Sequence, residues 1–228
     1  MRQILKFSFF FILTATLSLC LQAQQKGTLS FDAIHVSGNI EVLLQQGGGE
    51  SVNVEAEGVD EDRVMTEVKG GILKVRIKDV IYNKHKSARV VVTYRDLREI
   101  KAQAGAKIYS RTAIKGDKLE IKAGSGSNVA LELWMDTVEG RAAEGGEIEL
   151  TGEVHTLTAV ASTGGLFYGY GLEAQEVYAR SNTGGEVEVS ANKRIEAKAN
   201  TGGNISYKGN PVHREVSTSL GGTIDGRN

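Results

Sequence analysis

The carboxylates Asp117 and Asp136 come closest, among the residues of this sequence, to the spacing of a catalytic pair. They stand 19 residues apart and occupy equivalent positions of an internal repeat. If consecutive repeats stack as parallel strands, their backbones lie about 5 Å apart, near the separation of the two carboxyl groups in a retaining glycosidase. The same position continues through the chain as His155, Gln175, Lys193 and Arg214. A carbohydrate-cleaving site is one interpretation, and a row of polar residues at an exposed corner is the favoured one.

Charged residues recur at two further positions of the repeat, two residues apart. The basic column comprises Lys122, Arg141, Arg180 and Lys198, and the acidic column comprises Glu120, Glu139 and Glu196. Opposite charges placed in this way pair across and along a sheet, and each exposed pair contributes little stability. The columns therefore predict a well-solvated outer face. A face that binds glycans or anions is the sharper alternative.

The segment 166–170, with the sequence LFYGY, gives the strongest local indication of a binding site. Phe167 falls at an inward position of the alternating pattern, whereas Tyr168 points outward. Exposed tyrosines beside polar columns suit stacking on sugars or contact with proteins, although scattered exposed aromatic residues are normal. Trp134, the only tryptophan, either joins the tyrosines or fills a corner. The residues predicted to bind a ligand are Tyr168, Tyr170, Tyr178, Arg141 and Arg180.

Outward glutamates raise the alternative of a calcium site, because carboxylate oxygens are the ligands that Ca²⁺ prefers. The intervening repeat has Leu166 and Tyr168 at the same positions, which breaks the cluster. The glutamates concerned are Glu147, Glu149, Glu186 and Glu188. The four histidines show no ligand spacing. The sequence therefore predicts no metal, no cofactor and no catalytic residue, and its net charge of −1 argues against nucleic acid as a partner.

Regularly spaced glycines mark the repeat that relates all these positions. Each is followed by a second glycine or another small residue, and then, two positions later, by an apolar residue. The first members are Gly105, Gly126, Gly145, Gly164, Gly184, Gly202 and Gly221, at spacings of 21, 19, 19, 20, 18 and 19 residues. A sharp left-handed corner is sterically cheap only for glycine. The glycines therefore predict one corner in each repeat.

A strand pattern repeats in phase with the corners. Seven residues before most of the glycines stands a large apolar residue, namely Leu119, Val138, Leu157, Val177 and Ile195. Small residues follow two and four positions later with polar residues between them, which is the period-2 alternation of a strand. A unit of about 19 residues without a helical pattern predicts an all-β parallel β-helix, a solenoid whose rungs bury their apolar faces by stacking.

Two alternatives to a uniform solenoid remain open at the level of sequence. A glycine-rich antiparallel sandwich or barrel fits the turn spacing, but hairpins give no reason for the same two-strand unit to recur in register. The stretch 28–95 is less regular than the repeats of residues 96–224, and within it the segment 60–68 is predicted to be one helical turn or a loop. Terminal repeats of solenoids are atypical. We therefore interpret 28–95 as irregular early rungs of one domain, residues 24–228, with a separate small β-domain as the alternative.

Residues 1–23 have the pattern of a secretory signal peptide. Basic residues precede an uncharged apolar run of 15 residues, shorter than the roughly 20 that span a bilayer, and Ala23 suits a cleavage site. Lipidation of Cys20 is an alternative, but a leucine precedes it where such processing needs a small residue. No other cysteine is present, which excludes disulfides and a cysteine nucleophile from the mature chain. We expect a protein exported to the periplasm, the outer-membrane surface or the extracellular space, with no membrane span after cleavage.

The order of these features resembles the head GIN domain family of putative auto-transporter adhesins. An opening strand at 31–42 and strands at 70–75 and 90–94 lead through 97–102 into the glycine repeats, and the likeness covers about residues 28–224. The resemblance implies a right-handed parallel β-helix and an adhesive function. We expect a non-catalytic module that binds a glycan, an envelope component or a second copy of itself. A structural or assembly module of the envelope and a carbohydrate-active enzyme are the alternatives.

Overall fold

The computed structural model describes residues 30–57, 63–77 and 87–227, which form sixteen β-strands in one hydrogen-bonded sheet. The first eight are β1 (Ala33–Ser37), β2 (Ile40–Gln46), β3 (Ser51–Glu57), β4 (Val64–Lys69), β5 (Ile72–Ile77), β6 (Ser87–Tyr94), β7 (Glu99–Gln103) and β8 (Lys107–Ser110). The others are β9 (Ile114–Ala123), β10 (Asn128–Ala143), β11 (Glu147–Ser162), β12 (Leu166–Asn182), β13 (Glu186–Ala199), β14 (Asn204–Lys208), β15 (His213–Thr218) and β16 (Thr223–Arg227). The predicted signal peptide, Cys20 included, lies outside the described residues. Within the described ranges no helix is long and apolar enough to cross a membrane.

Strands β9 to β13 stack as parallel rungs, each paired with the next in a nearly constant register. The large apolar residues that precede the glycine corners align through this stack and are fully buried; they are Leu119, Val138, Leu157, Val177 and Ile195. Such a file forms only when each rung lies directly on the previous one. The predicted parallel solenoid, of about seven turns, is confirmed.

Small inward residues on one side of the rung make room for large ones on the other. Two positions after the large file, Gly140 and Ala159 face the interior of consecutive rungs. A methyl group at Gly140 would lie 2.3 Å from Cε2 of Phe167, so the buried ring of Phe167 fills the space left by the missing side chain. The order of large, small and small inward residues thus reflects the cross-section of the core.

The two members of a glycine doublet serve different purposes. Thr163 and Gly164 both have positive φ, 50° and 68°, a left-handed pair typical of a tight type I′ turn. A methyl group added at Gly164 would meet nothing within 4 Å, whereas one added at Gly165 would lie 2.3 Å from the carbonyl oxygen of Ala142 on the preceding rung. Backbone conformation thus favours the first glycine, and the close approach of two rungs requires the second. The arrangement recurs at the doublets that begin with Gly145, Gly184, Gly202 and Gly221.

The first half of the chain joins the same stack, but out of sequence order. Strand β1 pairs in parallel with β5 on one side and with β7 on the other, and β2 pairs likewise with β6 and β8. The rung formed by β1 and β2 therefore lies between two rungs that come later in the chain. Strands β3 and β4 pair antiparallel with β6 and β5 at that end of the stack.

The expectation of a helical turn or a loop at residues 60–68 is wrong for its second part. Residues 60–62 lie outside the described ranges, but Val64–Lys69 forms strand β4, antiparallel to β5. The connection between them is Gly70–Gly71, with φ values of 60° and 77°. Two left-handed residues in sequence are the hairpin turn that matches the twist of antiparallel strands, so this doublet closes a hairpin instead of a solenoid corner.

Alanine substitutions at Gly164 and Gly165 separate the two roles of a doublet. Gly164→Ala places alanine at a left-handed φ in open space, which costs about 1 kcal/mol. Gly165→Ala pushes a methyl group into the carbonyl group of Ala142 and forces two rungs apart, so we expect a larger loss of about 3 kcal/mol. Thermal unfolding followed by circular dichroism compares the two variants. A loss for Gly164→Ala that equals or exceeds the loss for Gly165→Ala would contradict this division of roles.

Candidate functional site

Five stacked strand runs form the side of the solenoid that we call the ladder face. It consists of the outward side chains of residues 118–122, 137–141, 156–160, 176–180 and 194–198. The register aligns the basic positions in one column, which contains Lys122, Arg141, Val160, Arg180 and Lys198. The neighbouring column contains Glu120, Glu139, Thr158, Tyr178 and Glu196. Both predicted charge columns are confirmed, and three of the predicted binding residues lie on this face.

Acidic and basic residues of the two columns pair with each other along three of the strands. The distances between the side-chain nitrogen and the carboxylate oxygen are 2.9 Å for Lys122–Glu120, 3.9 Å for Arg141–Glu139 and 2.7 Å for Lys198–Glu196. Exposed pairs of this kind contribute at most about 1 kcal/mol each to stability. They do, however, satisfy each other's charge, so these positions are occupied before any ligand arrives.

Contacts between rungs occupy the acidic column further. Lys118 lies 2.8 Å from Glu139 on the next rung, and its hydrogen bond is the main cause that lowers the pKa of Glu139. At the other end of the face, burial raises the pKa of Glu99, but Lys122 at 3.4 Å and His35 at 3.3 Å more than offset it, so that the pKa is lowered. These carboxylates are therefore ionised and engaged at neutral pH.

The ladder of paired charges stops at two consecutive rungs in the middle of the face. Thr158 and Val160 take the acidic and basic positions on β11, and Tyr178 and Arg180 take them on β12. We call these four residues the ladder break. Arg180 has a tyrosine two residues before it, where the other basic residues of its column have a glutamate. The hydroxyl of Tyr178 donates to Oε2 of Glu176 at 3.4 Å, and the ladder break thus presents a guanidinium beside an oriented phenol ring.

Tyr168 and Tyr170 lie on the neighbouring side of the rung, on the run that follows a glycine doublet. Tyr168 aligns with Glu149 on one rung and with Glu188 on the next. Burial, followed by the charge of nearby glutamates, raises the pKa of Tyr168. The structure therefore does not bring these two tyrosines together with the three predicted residues of the ladder face.

Tyr170 occupies a bulge that an additional residue creates. The repeat that contains it is 20 residues long, and its register with β11 shifts at this point. A methyl group would lie 2.9 Å from the ring of Phe167 if added at Gly169, and 2.8 Å from Thr151 if added at Gly171, so glycines are needed on both sides. The ammonium group of Lys208 lies 5.8 Å from the centroid of the Tyr170 ring, within the range of a cation–π contact.

The glutamates around Tyr168 are arranged as the sequence indicated. Leu166 and Tyr168 lie in register between the glutamates of β11 and those of β13, which keeps the two acidic pairs on separate rungs. Among the residues that the structure describes, no group of three His, Cys, Asp or Glu side chains is placed to hold a metal ion.

The aspartate row is exposed. Asp136 and His155 occupy the same position of consecutive rungs, and both point into solvent, as does Asp117 one rung earlier. Glycoside hydrolysis needs an acid held in an environment that keeps it protonated. An exposed row of unlike polar groups does not supply that environment, which favours the interpretation of these residues as a polar corner.

Arg214 does not continue this row, and its assignment there is wrong. The residue that pairs with Arg214 is Ile195, and Arg194 pairs with His213. The reason is a shift of register where β13 passes the corner next to β12. Sequence spacing alone does not reveal such a shift, because the corner residues do not alternate between inward and outward positions.

Trp134 was left open by the sequence, and the structure places it at the surface. The side chain is 52% exposed, although Leu133 and Met135 on either side are buried. Strict alternation with these neighbours is the signal that predicts its outward direction. Trp134 lines a shallow depression of about 460 Å³, which we call the corner depression. Its rim consists of Trp134, Asp136, Glu153, His155 and Gln175.

Comparison with known proteins identifies relatives of this fold. Residues 30–211 match the family model described as putative auto-transporter adhesin, head GIN domain, which confirms the resemblance drawn from the sequence. A putative adhesin from Bacteroides fragilis is 21% identical, with a TM-score of 0.78 over 87% of this chain and 93% of that chain. A putative adhesin from Parabacteroides merdae (20% identity, TM-score 0.65, 87% and 92% covered) and a putative lipid binding protein from Parabacteroides distasonis (22%, 0.62, 87% and 93%) are also similar. At these identities the likeness shows the fold alone. The curated proteins contain no match.

The contact between Lys118 and Glu139 predicts a dependence of stability on pH. A carboxyl group with a lowered pKa in the folded state stabilises the protein above its unfolded pKa, and this contribution is lost as the pH falls through the folded value. Lys118→Met should therefore raise the pKa of Glu139, and its stability deficit should disappear in acid. Carbon NMR titration of the Glu139 carboxyl group and urea unfolding at neutral pH and at about pH 3 measure both effects.

Lys115→Met is the matched control, because Lys115 lies on the same strand, is exposed and is not among the groups that lower the pKa of Glu139. We expect no change in the titration of Glu139 in that variant. A Glu139 pKa that is the same in the Lys118→Met variant and in the unmodified protein would show that the hydrogen bond across the rungs is not the cause.

Proposed function

Since the chain belongs to the family of putative auto-transporter adhesins with a head GIN domain, we propose that it is an exported adhesive module that binds a glycan or another envelope component and catalyses no reaction. Its place of action is the periplasm, the outer-membrane surface or the extracellular space, in keeping with the secretory pattern of residues 1–23. The ladder break is the observation that carries the proposal, because it is where the ladder face departs from self-paired charge.

The chemistry of the ladder break suits an acidic carbohydrate. The ring of Tyr178 offers a face on which the C–H groups of a sugar stack, and the guanidinium of Arg180 forms bidentate hydrogen bonds with a carboxylate, sulfate or phosphate. Arg141 lies two rungs away in the same column, with Val160 between them. Two strand spacings correspond to about 10 Å, so an extended polymer with repeated anionic groups contacts both arginines along the column.

A second candidate, an assembly module of the envelope, rests on the last described rung. All six residues of β15 are exposed, and Val216 is 53% exposed although it pairs with the buried Ala197. Leu220, at the adjoining corner, is 80% exposed. A strand edge with exposed apolar residues is a template for pairing with another chain. Assembly of this kind requires neither Tyr178 nor Arg180, and light scattering over a range of concentrations detects it.

The experiment for the adhesive function compares two basic residues of the same column. Binding of the mature protein to oligogalacturonate, to a sulfated oligosaccharide and to neutral dextran is measured on an array and by calorimetry. Arg180→Ala should weaken binding of at least one acidic ligand about tenfold, which is the loss of roughly 1.4 kcal/mol expected for a hydrogen bond between charged groups. Tyr178→Ala should weaken it by a similar factor.

Lys122→Ala is the matched control, because Lys122 stands in the same column but is paired with Glu120 and Glu99. We expect its binding to change less than twofold. Equal losses for Lys122→Ala and Arg180→Ala would point to diffuse charge attraction and overturn the ladder break as a site. Arrays that stay blank while the protein associates with itself would favour the assembly module instead.

A further inference from the structure

The corner depression has the composition of a carbohydrate site and lies outside the residues discussed for the ladder face. Its floor is apolar and is formed by Met135, 7% exposed, and Val154, 1% exposed. Gly116 belongs to its wall, and a methyl group added there would lie 3.4 Å from Cε of Met135. The absence of a side chain at Gly116 thus leaves the floor open to solvent. The volume of about 460 Å³ falls in the range of small-ligand sites.

Trp134 gives the depression an aromatic wall that the fold itself does not need. The indole group stands on an outward position between Lys115 on β9 and Glu153 on β11, and half of its surface is exposed. The same outward position carries a glutamate on the two following rungs, Glu153 and Glu173. A large ring held at the rim of a concavity presents a flat face to the apolar C–H side of a pyranose ring.

The polar rim selects the charge of the ligand. Asp136 and Glu153 supply two carboxylates, and Gln175 and His155 supply further hydrogen-bonding groups. The hydroxyl group of Thr137 donates to Oδ2 of Asp136 at 3.2 Å, which orients that carboxylate. Carboxylates accept strong hydrogen bonds from sugar hydroxyls and repel uronates, sulfates and sialic acids. The rim therefore favours an uncharged sugar, whereas the ladder break favours an acidic one.

We propose that the corner depression binds a neutral oligosaccharide, with one pyranose ring stacked on Trp134 and its hydroxyl groups bound to Asp136, Glu153 and Gln175. The site is independent of the ladder break, because it lies at a different part of the rung and has the opposite charge preference. Either site can therefore fail without the other. A module with both sites contacts the neutral and the acidic portions of one heteropolymer, or two different glycans.

Fluorescence of Trp134 tests this proposal directly, because the chain contains one tryptophan and its emission reports on the depression alone. The probes are the tetrasaccharides of glucose, mannose, xylose and N-acetylglucosamine, titrated to about 10 mM, together with oligogalacturonate. We expect at least one neutral probe to shift the emission to shorter wavelength in a saturable manner and to reduce quenching by acrylamide at least about threefold. A dissociation constant near 1 mM corresponds to roughly −4 kcal/mol, which is within reach of one stacked ring and two or three hydrogen bonds.

Asp136→Ala and Asp117→Ala form the matched pair of variants. The two aspartates occupy the same position of consecutive rungs and both are exposed, but only Asp136 lines the depression. Asp136→Ala should weaken binding of the neutral probe about tenfold, and Asp117→Ala should leave it unchanged. Arg180→Ala should also leave it unchanged, which separates this site from the ladder break. Trp134→Ala, followed by calorimetry, should abolish binding without altering the circular dichroism spectrum.

Two results would overturn the proposal. One is an emission spectrum and an acrylamide quenching constant that no neutral probe alters. The other is oligogalacturonate binding as well as or better than the neutral probes, since the carboxylates of the rim would then not control selection. A loss of binding in Asp117→Ala equal to that in Asp136→Ala would count against the depression in the same way.

Discussion

The constraint on which the structure depends is the register between neighbouring rungs. A strand inside the stack pairs with a strand on each side, so its inward residues must stand above and below inward residues of the same kind. The file that runs through Leu119, Leu157 and Ile195 shows this condition over several rungs. It also fixes the close approach at the corners, where Gly165 leaves no space for a side chain beside the carbonyl group of Ala142. Period, burial and glycine placement are therefore consequences of one hydrogen-bonding requirement.

A departure from the period has to be absorbed where the alternation can be interrupted. The repeat of β12 is one residue longer than the one before it, and the additional residue forms the bulge at Tyr170, between two glycines. The following repeat is shorter, and its register shifts again before the buried Val177 and Ile195 return to alignment. The core thus keeps its files, and the irregularity is displaced to the surface, as is common for β-bulges.

The parts of the fold that sequence reasoning predicted are those set by local spacing. Strands, corners and inward files of residues 96–224 follow from alternation and from the glycines, because each repeat carries the same signals. The insertion of β1 between β5 and β7 was not predictable in this way, since pairing partners 39 and 66 residues away, such as Ile72 and Glu99 for Ala33, leave no periodic trace. The site shows the same division. Which residues share a column was predictable, but how the chain bends between Tyr168 and Tyr178 was not, and Arg214 was misplaced by a shift at a corner.

Because the core is set by inward residues, the outward columns are free to vary at little cost in stability. Each exposed ion pair of the ladder face contributes less than about 1 kcal/mol, so replacing a glutamate by Tyr178 or a basic residue by Val160 costs the fold almost nothing. The usual role of such columns is to keep the surface solvated and to mask charge. An outward position that breaks the column, whether Tyr178 beside Arg180 or Trp134 above Glu153, is therefore not explained by the needs of the fold. In a solenoid of this type the information about binding lies in these departures from the repeat, just as the information about folding lies in its regularity.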